Sequence, residues 1–287
     1  MTLNLLVAYP YVNERVIAAM QRLGPEARFL IDSGAFTAFR TGKTIGLDGY
    51  CDFLDRLPVA PWRYFNLDVI GDAAGSAHNY RAMRERGLAP VPIFTRGASL
   101  DELDRMYETS DLVGIGGLVV TNNRPHRYIK AVMQHLAGRP AHLLGFVEPS
   151  WVQYLKPYSC DASSFTRANR YGYLDVYLGD GKFHHLFRNK VAVERPPEHV
   201  MRAIAGMGFD PFELLKWENW SKLDGVARWL AALSWVRYSV ELERRHGILL
   251  FLAGSDTDLL VLEACYRTVT ENADIEAARQ ANRRKAA

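Results

Sequence analysis

Short apolar runs alternate with segments of helical length along the first 165 residues. Runs rich in β-branched and aromatic residues predict seven strands, at 3–9, 27–34, 63–70, 89–95, 111–119, 141–146 and 158–164. Helices are predicted between them at 13–23, 47–56, 76–86, 100–108 and 124–136, with N-cap candidates Asp48, Ser76 and Ser99. This alternation is typical of an α/β fold with a parallel sheet, which is either open and doubly wound or closed as a barrel.

Polar residues and glycines stand at or just after the ends of separate apolar runs. They are Asp32, Ser33, Asp68, Thr95, Arg96, Gly116, Gly117, Gly145 and Asp161. In a barrel these ends converge on one face, where enzymes of that fold keep their chemistry. The Gly-rich dinucleotide fingerprint of open sheets is missing after the first run. We therefore predict a TIM-type (β/α)8 barrel, with its eighth strand at 188–194.

The pattern changes after about residue 165. An aromatic and polar stretch at 171–187 contains Gly-Asp-Gly and predicts an inserted hairpin. The chain then reads as a helical C-terminal part over about 197–287, with a long helix over 223–245. Four tryptophans of this part are interpreted as core residues, namely Trp217, Trp220, Trp229 and Trp235. No repeat or flexible linker is visible, so residues 1–287 are predicted to form a single domain.

Composition is that of a globular protein, with 48% apolar residues and a net charge of +3 from 35 basic and 32 acidic side chains. The three cysteines are far apart, so neither a disulfide framework nor a metal site is expected, and no cofactor is predicted. The chain lacks a signal peptide pattern and a membrane-spanning run. These features predict a soluble cytoplasmic protein without a membrane partner.

Four acids flank apolar strands: Asp32, Asp68, Asp72 and Asp161. A carboxylate there is solvated, paired or functional, because burying it unpaired is costly. A helix cap or an ion pair is the alternative for each one. Carboxylates grouped at separate strand ends suit glycosidic-bond chemistry, in which one attacks the sugar C1′ and another transfers a proton.

Six segments occur in the order and approximate spacing of a known enzyme family. They are IDSGAF (31–36), FNLDVIG (65–71), VPIFTRG (91–97), GIGGLV (114–119), LLGF (143–146) and CDASSFTRANRYG (160–172). The set resembles the tRNA-guanine transglycosylase superfamily over about residues 27–172, a little over half of the chain. The resemblance implies a barrel enzyme that exchanges guanine for a 7-deazaguanine through a covalent sugar–enzyme intermediate.

The resemblance also implies roles for individual residues. Asp161 matches the nucleophile, and Asp32, with Ser33 beside it, matches the aspartate that serves in base binding and proton transfer. Asp68 matches the aspartate that recognises the base, since a carboxylate accepts the N1–H and N2–H₂ donor pair of guanine. The segment Gly116, Gly117 and Leu118 would bring backbone N–H groups to the purine O6, with a strand-end turn as the alternative for the glycines.

Departures from the family pattern change the expected nucleic acid. The family's zinc-binding cysteine cluster has no counterpart, Ala35 replaces a glycine, and Arg96 stands in a Phe-Thr-Arg-Gly segment where the family has glutamine-glycine-glycine. Because Arg96 follows a predicted barrel strand, it is a candidate for substrate binding. The short chain is more similar to the DNA 7-deazaguanine transglycosylases (DpdA-type) of bacteriophages, whose modified DNA resists restriction endonucleases. The expected partners are therefore DNA and a 7-deazaguanine base such as preQ0, in the host cytoplasm, with accessory proteins left open.

DNA as the substrate would require a guanine to leave the base stack. Phe165, Tyr171 and Tyr173 are candidates to fill the gap. Candidates for phosphate contacts are Arg167, Arg170, Lys182, Arg188 and Lys190, and an ordinary solvated hairpin is the alternative reading of this region. Exchange in tRNA, a catalytically silent nucleic-acid-binding barrel and a nucleoside hydrolase remain open as other functions.

Overall fold

A computed structural model describes residues 2–118, 125–222 and 224–285, with the backbone alone from residue 272 onward. The chain divides into two units. The sheet unit comprises Thr2–Ala162 and His246–Asp256, and the helical unit comprises Ser163–Arg245 and Thr257–Ala287. Positions 119, 124 and 223, at the ends of three predicted elements, lie outside the described residues.

The sheet unit is built on eight parallel strands that form one curled sheet. In chain order they are β1 (Leu3–Ala8), β2 (Ala27–Asp32), β3 (Arg63–Tyr64), β4 (Ile93–Phe94), β5 (Val113–Ile115), β6 (Ala141–Leu143), β7 (Ser159–Ala162) and β10 (Leu249–Ala253). Their order in the sheet is β3-β2-β1-β10-β7-β6-β5-β4. Seven of the eight coincide with the strands predicted from sequence, with shorter bounds.

Backbone hydrogen bonds also connect the two strands that end this order. The Val91 N–H, just before β4, donates to the Tyr64 oxygen at 2.8 Å, and the Asn66 N–H donates to the Val91 oxygen at 3.1 Å. Phe65 and Val91 form a parallel bridge at this point. Helices connect the parallel strands, as in an α/β fold. The sheet curls far enough that residues next to its two end strands meet at one bridge.

Among the described residues of the sheet unit, seven α-helices surround or connect the strands. They are α1 (Glu14–Leu23), α2 (Ala35–Thr41), α3 (Leu47–Asp55), α4 (Ala73–Glu85), α5 (Leu100–Met106), α6 (His126–Leu136) and α7 (Pro149–Leu155). Ser99 caps α5 as predicted, since its side chain accepts the Glu102 N–H. The caps predicted at Ser76 and Asp48 are wrong: Asp72 caps α4, and Asp48 pairs with Arg86.

Apolar side chains from most of the strands fill the inside of the sheet. One cluster consists of Leu6, Leu30, Phe65, Val91, Ile93, Leu112, Leu249 and Phe251. Helix α1 shows why the outer layer follows from sequence: its buried residues Val16, Ala19, Met20 and Leu23 recur every three or four positions and so share one face. The apolar cluster and the buried helix faces occupy the two sides of the sheet, so polar residues stand at the strand ends.

The eighth strand is the main correction to the sequence prediction. Residues 188–194 do not form a strand; helix α9 (Arg188–Val191) begins there, and Val193 is 86% exposed. The strand is β10, which pairs with β1 on one side and β7 on the other. Its continuous run Leu-Leu-Phe-Leu is typical of a strand covered on both faces, a pattern that cannot be told from a buried helical segment by periodicity alone.

In the helical unit a short helix comes first, then a hairpin and further helices. Besides α9, its elements include α8 (Arg167–Tyr171), β8 (Tyr173–Gly179), β9 (Lys182–Phe187), α10 (Glu198–Gly206), α11 (Glu218–Ser221), α12 (Val226–His246) and α13 (Asp256–Lys285). The antiparallel pairing of β8 with β9 confirms the predicted hairpin. Trp220 and Trp235 are buried as predicted, whereas Trp217 is 57% exposed and does not belong to the core.

Hydropathy along the described helices gives no segment both long and apolar enough to span a lipid bilayer.

Candidate active site

A pocket of about 150 Å³ lies in the sheet unit where several strands end. Its lining residues are Asp32, Phe36, Asp68, Ile70, Gly116, Gly117, Leu118, Leu144, Gly145 and Asp161. Asp32 is the last residue of β2, Asp161 lies in β7, and Asp68 follows β3. The fold thus brings together three carboxylates that are up to 129 positions apart, since 161 − 32 = 129.

The Asp161 carboxylate is fixed through one of its two oxygens. Oδ1 accepts the Gly145 N–H at 2.8 Å and lies 3.1 Å from His142 Nε2. The side chain of Asp161 is 14% exposed, so the carboxylate is largely enclosed and still reaches the pocket. A carboxylate held by one oxygen in this way is oriented before any ligand arrives.

His142 is a residue that the sequence reasoning missed. It lies in β6, its side chain is fully buried, and its Nδ1 is 2.8 Å from the buried Ser159 hydroxyl oxygen. The rings of Phe65 and Phe251 lie at 5.1 and 6.1 Å from the imidazole. The available signal was a single basic side chain inside the otherwise apolar run at 141–146.

The pKa values of Asp32 and Asp68 are both raised in the folded protein. Burial and the negative charges of Asp68 and Asp161 together raise the pKa of Asp32 from 3.8 to about 7, and the Gly34 N–H donated to its Oδ1 opposes the shift. Burial also raises the pKa of Asp68 to about 6, opposed by the Ser33 hydroxyl that donates to it at 3.2 Å. Near pH 7 the site therefore contains both protonated and deprotonated carboxyl groups.

The raised pKa of Asp32 makes a prediction about stability. Because the folded state binds this proton more tightly than the unfolded chain, the contribution of Asp32 is fully stabilising below pH 3.8 and is lost as the pH rises to about 7. An Asp32→Asn variant avoids the buried charge and keeps an oxygen for the Gly34 N–H. Because Asp32 is partly exposed, the free energy that its pKa shift implies is reduced by solvent screening. We expect the variant to be more stable than the wild type at pH 8 by about 2 kcal/mol, or about 5 °C in Tm.

Thermal unfolding followed by circular dichroism at pH 8 and pH 5 measures this difference, which is expected to shrink at pH 5. Asp111→Asn is the matched control, because Asp111 is 75% exposed and pairs with Arg63 on the surface. A variant at position 32 that is less stable than the wild type at pH 8 would contradict the burial argument.

Ser33 and Arg96 do not line the pocket, although both were predicted to contact the base. Ser33 is 1% exposed, and its hydroxyl group contacts Asp68 and accepts the Ala35 N–H. Arg96 places its guanidinium over the Tyr128 ring, 5.3 Å from the ring centroid. The structure therefore places Ser33 behind Asp68 and Arg96 beside Tyr128, so neither side chain lines this pocket.

Gly117 has its own structural reason to be glycine. Its φ is +71°, and a Cβ added there would lie 2.7 Å from the Cβ of Arg96. A side chain would be strained at this backbone angle and would collide with its neighbour. A turn at the strand end is thus sufficient to explain why this position is glycine. The turn brings the backbone of 116–118 to the pocket wall.

Apolar side chains form much of the remaining wall. They are Phe36, Ile70, Leu118 and Leu144, of which only Leu118 was predicted as a site residue. Phe36 directly follows the Asp32–Ala35 segment and belongs to α2, a helix that the hydrophobic pattern did not indicate. Flat apolar walls around grouped carboxylates suit a planar ligand with hydrogen-bond donors on one edge.

The predicted nucleic-acid contacts belong to the helical unit. Arg167 lies over Tyr173, Lys190 over Phe187, and Arg188 over Trp217, with the Arg188 guanidinium carbon 3.6 Å from that ring centroid. Arg170 and Lys182 are exposed.

Among the aromatic candidates, Tyr171 is 76% exposed, whereas Phe165 is 1% exposed. The expectation that Phe165 stacks on a base is corrected, because its ring is enclosed in the core.

A larger cavity, of about 800 Å³, is lined by α4, α5 and neighbouring segments. None of the three pocket carboxylates lines it. The smaller pocket is therefore the better candidate for chemistry, because titratable groups converge there.

Cysteine positions do not fit the zinc site that the resemblance would bring. Cys51, Cys160 and Cys265 are each buried, at separate places in the chain. Within residues 2–118, 125–222 and 224–271, no group of three or more His, Cys, Asp and Glu side chains is arranged to hold a metal ion.

Searches against protein-family models, curated proteins and solved structures found no match to this chain.

Proposed function

We propose that the protein is a DNA guanine transglycosylase that exchanges guanine for a 7-deazaguanine base, such as preQ0, through a covalent intermediate on Asp161. The observation that carries this proposal is the convergence of Asp32, Asp68 and Asp161 on one pocket of about 150 Å³. Drug-sized ligands occupy pockets of roughly 300–1,000 Å³, so this pocket suits a single bicyclic base. The proposed pentosyl transfer modifies DNA and protects it from restriction endonucleases.

The proposal includes a closed TIM-type barrel. Support comes from the strand order, in which sequential strands are neighbours and β10 lies between β7 and β1. The bridge between Phe65 and Val91 joins the remaining pair of strands, β3 and β4. In such a barrel, residues at the carboxyl ends of the strands form the active site, as Asp32 and Asp161 would here.

In the first half-reaction, Asp161 attacks the sugar C1′ and the bond from C1′ to guanine N9 breaks. The bonding electron pair leaves with guanine, which takes up a proton, and an aspartyl–sugar ester remains. Asp161 suits the role of nucleophile because its Oδ1 is held by His142 and Gly145, which orients the carboxylate. Asp32 supplies the proton, since its pKa of about 7 keeps a large fraction protonated at neutral pH.

In the second half-reaction, the incoming base reverses these steps. Its N9–H gives the proton to the Asp32 carboxylate, N9 attacks C1′, and Asp161 is released as a carboxylate. One residue therefore serves as acid and then as base. A pKa near the working pH is the value that favours both roles.

Asp68 would recognise the base edge common to both partners. Its carboxylate accepts from N1–H and N2–H₂, a donor pair that guanine and 7-deazaguanines share. Phe36 and Leu118 offer apolar contact to the rings. Because the outgoing and incoming bases present the same edge, a single pocket holds them in turn.

A polynucleotide substrate is supported by the basic side chains of the helical unit. Arg167, Arg170, Lys182, Arg188 and Lys190 are proposed to contact phosphates, and such contacts carry most of non-specific nucleic-acid affinity. Exposed Tyr171, at 76%, is available for stacking on an unpaired base. Accessory proteins that help to open the duplex are compatible with this proposal.

Nucleoside mass spectrometry tests the reaction and its substrate together. Purified protein is incubated with preQ0 and, in separate reactions, with duplex DNA, single-stranded DNA or unmodified tRNA. We expect a 7-deazaguanine deoxynucleoside in DNA and none in tRNA, with release of one free guanine for each base inserted. Reactions without preQ0 provide the control for hydrolysis.

Three other results would contradict the proposal in different ways. Product in tRNA alone would identify the RNA as the substrate. Free guanine without an incorporated base would indicate a hydrolase. A wild-type protein that releases no guanine and modifies neither polymer would support a catalytically silent barrel.

A further inference from the structure

We infer that His142 is a positioning residue that holds the Asp161 carboxylate for attack. This inference rests on the proposed function, in which Asp161 is the nucleophile. It assigns a task to a buried histidine that the motifs leave unexplained, and it identifies Ser159 as the group that sets the orientation of the imidazole.

The imidazole of His142, in β6, contacts two side chains of the neighbouring strand β7. Ser159 Oγ lies 2.8 Å from His142 Nδ1, and His142 Nε2 lies 3.1 Å from Asp161 Oδ1. Ser159 and Asp161 are two positions apart in one strand, so their side chains project on the same side of the sheet. His142 faces both from the adjacent strand, where β6 pairs with β7.

The proton arrangement follows from these partners. Asp161 as a carboxylate only accepts, so Nε2 must donate the hydrogen bond between them. If the ring is neutral, Nδ1 then accepts the hydrogen bond of the Ser159 hydroxyl group. Both ring nitrogens are thereby satisfied inside a fully buried site, which locks the ring plane and one tautomer.

Two donors converge on one oxygen of the nucleophile. Oδ1 receives the His142 N–H and the Gly145 N–H, whereas the hydrogen bonds described for this side chain leave Oδ2 for the sugar. A neutral imidazole orients the carboxylate without cancelling the charge that attacks C1′. A lysine or arginine at this place would form an ion pair with Asp161 and make its carboxylate a weaker nucleophile.

The chain offers a matched control for this pair. His135 Nε2 lies 2.9 Å from Asp104 Oδ1, so it makes the same kind of contact between helices α6 and α5. Neither residue lines the carboxylate pocket. A His135→Leu substitution therefore removes a histidine–aspartate contact without touching the nucleophile.

The first test compares three variants in single-turnover formation of the covalent protein–DNA adduct. His142→Leu removes the donor, and we expect the rate of adduct formation to fall about 100-fold, the scale of a misplaced reacting group, with KM for DNA within about threefold. His142→Gln keeps an N–H near the position of Nε2 and is expected to recover most of the rate. His135→Leu is expected to react like the wild type.

Ser159→Ala gives a second route to the same answer if His142→Leu does not fold. It removes the partner of Nδ1 while leaving the ring in place, and we expect a loss of about tenfold in rate. Wild-type rates in both His142→Leu and Ser159→Ala would overturn the inference. Equal losses in His142→Leu and His142→Gln would also overturn it, because they would indicate a packing role.

The second test does not depend on activity. In protein with ¹⁵N-labelled histidine, two-bond ¹⁵N–¹H correlation spectra report which nitrogen of His142 carries the proton. We expect Nε2–H in the wild type and a changed Nε2 resonance in Asp161→Ala. A ring protonated at Nδ1 alone overturns the inference. If the wild type exchanges no base while the expected tautomer is present, the proposed function fails and the His142–Asp161 contact stands.

Discussion

The Asp161→Asn variant is expected to form no covalent adduct with DNA and to lose at least about 1,000-fold in base exchange. The amide oxygen can still accept the Gly145 N–H, so the side chain keeps its place, but the amide is not a nucleophile for C1′. One neutralised acid leaves the basic side chains of the helical unit unchanged. We therefore expect DNA affinity to stay within about threefold of the wild type.

Two measurements separate these effects. Denaturing gel electrophoresis counts the covalent adduct, and fluorescence anisotropy with labelled DNA reports the affinity. Asp104→Asn is the matched control, because Asp104 also accepts from a histidine and lies on the surface near Arg139. A position-161 variant that loses binding together with activity, or that still forms the adduct, would remove Asp161 from the role of nucleophile.

Adduct formation is expected to have a bell-shaped pH dependence centred between about pH 6 and pH 7. The pKa of Asp32 is about 7, and the first half-reaction needs its protonated form, so the rate falls as the pH rises above 7. The pKa of Asp68 is about 6, and base recognition needs its carboxylate, so the rate falls as the pH drops below 6. Each limb is expected to approach a tenfold change per pH unit.

Substitution assigns the alkaline limb. Asp32→Asn removes the proton donor, and we expect a loss of about 100- to 1,000-fold in kcat/KM and a rate that no longer falls above pH 7. Asp111→Asn should keep both limbs at wild-type height. The measurement is kcat/KM for adduct formation from pH 5 to pH 9, and an alkaline limb that persists in Asp32→Asn would assign that proton to another group.

The stability and pH predictions for Asp32 have one physical origin. The same burial that raises the pKa of its carboxyl makes the charged form unfavourable in the folded state. Replacing Asp32 is therefore expected to stabilise the protein above pH 7 and to slow the reaction. A group whose removal stabilises the fold and impairs activity is typical of an active site.

Local sequence pattern was sufficient for most of the sheet unit. The seven predicted strands and the helices between them depend on apolar periodicity, caps and turn residues within a few positions of each other. The same alternation correctly placed Asp32, Asp68 and Asp161 at strand ends. Because parallel strands end at the same edge, strand order alone makes their convergence on one pocket predictable.

Segments whose local pattern fits two structures were assigned wrongly. β10 is a run of apolar residues that suits a buried helix or a buried strand, and its place between β1 and β7 decides for the strand. Residues 188–191 fold as a helix, in which Val191 is the buried residue. Phe165 is of a type common in binding sites, yet packing encloses its ring in the core.

By itself, the sequence determined the α/β class, the strand ends and the three acids that stand there, since each depends on neighbouring residues. Only the tertiary structure decided which strand completes the sheet, which candidate side chains reach the pocket, and that His142 holds Asp161. It also decided the pKa values of Asp32 and Asp68, because burial of both carboxyl groups and the repulsion of Asp32 by neighbouring acids arise only when distant strands pack side by side. Chemical identity is local along a chain, whereas distance and solvent exclusion are properties of the fold.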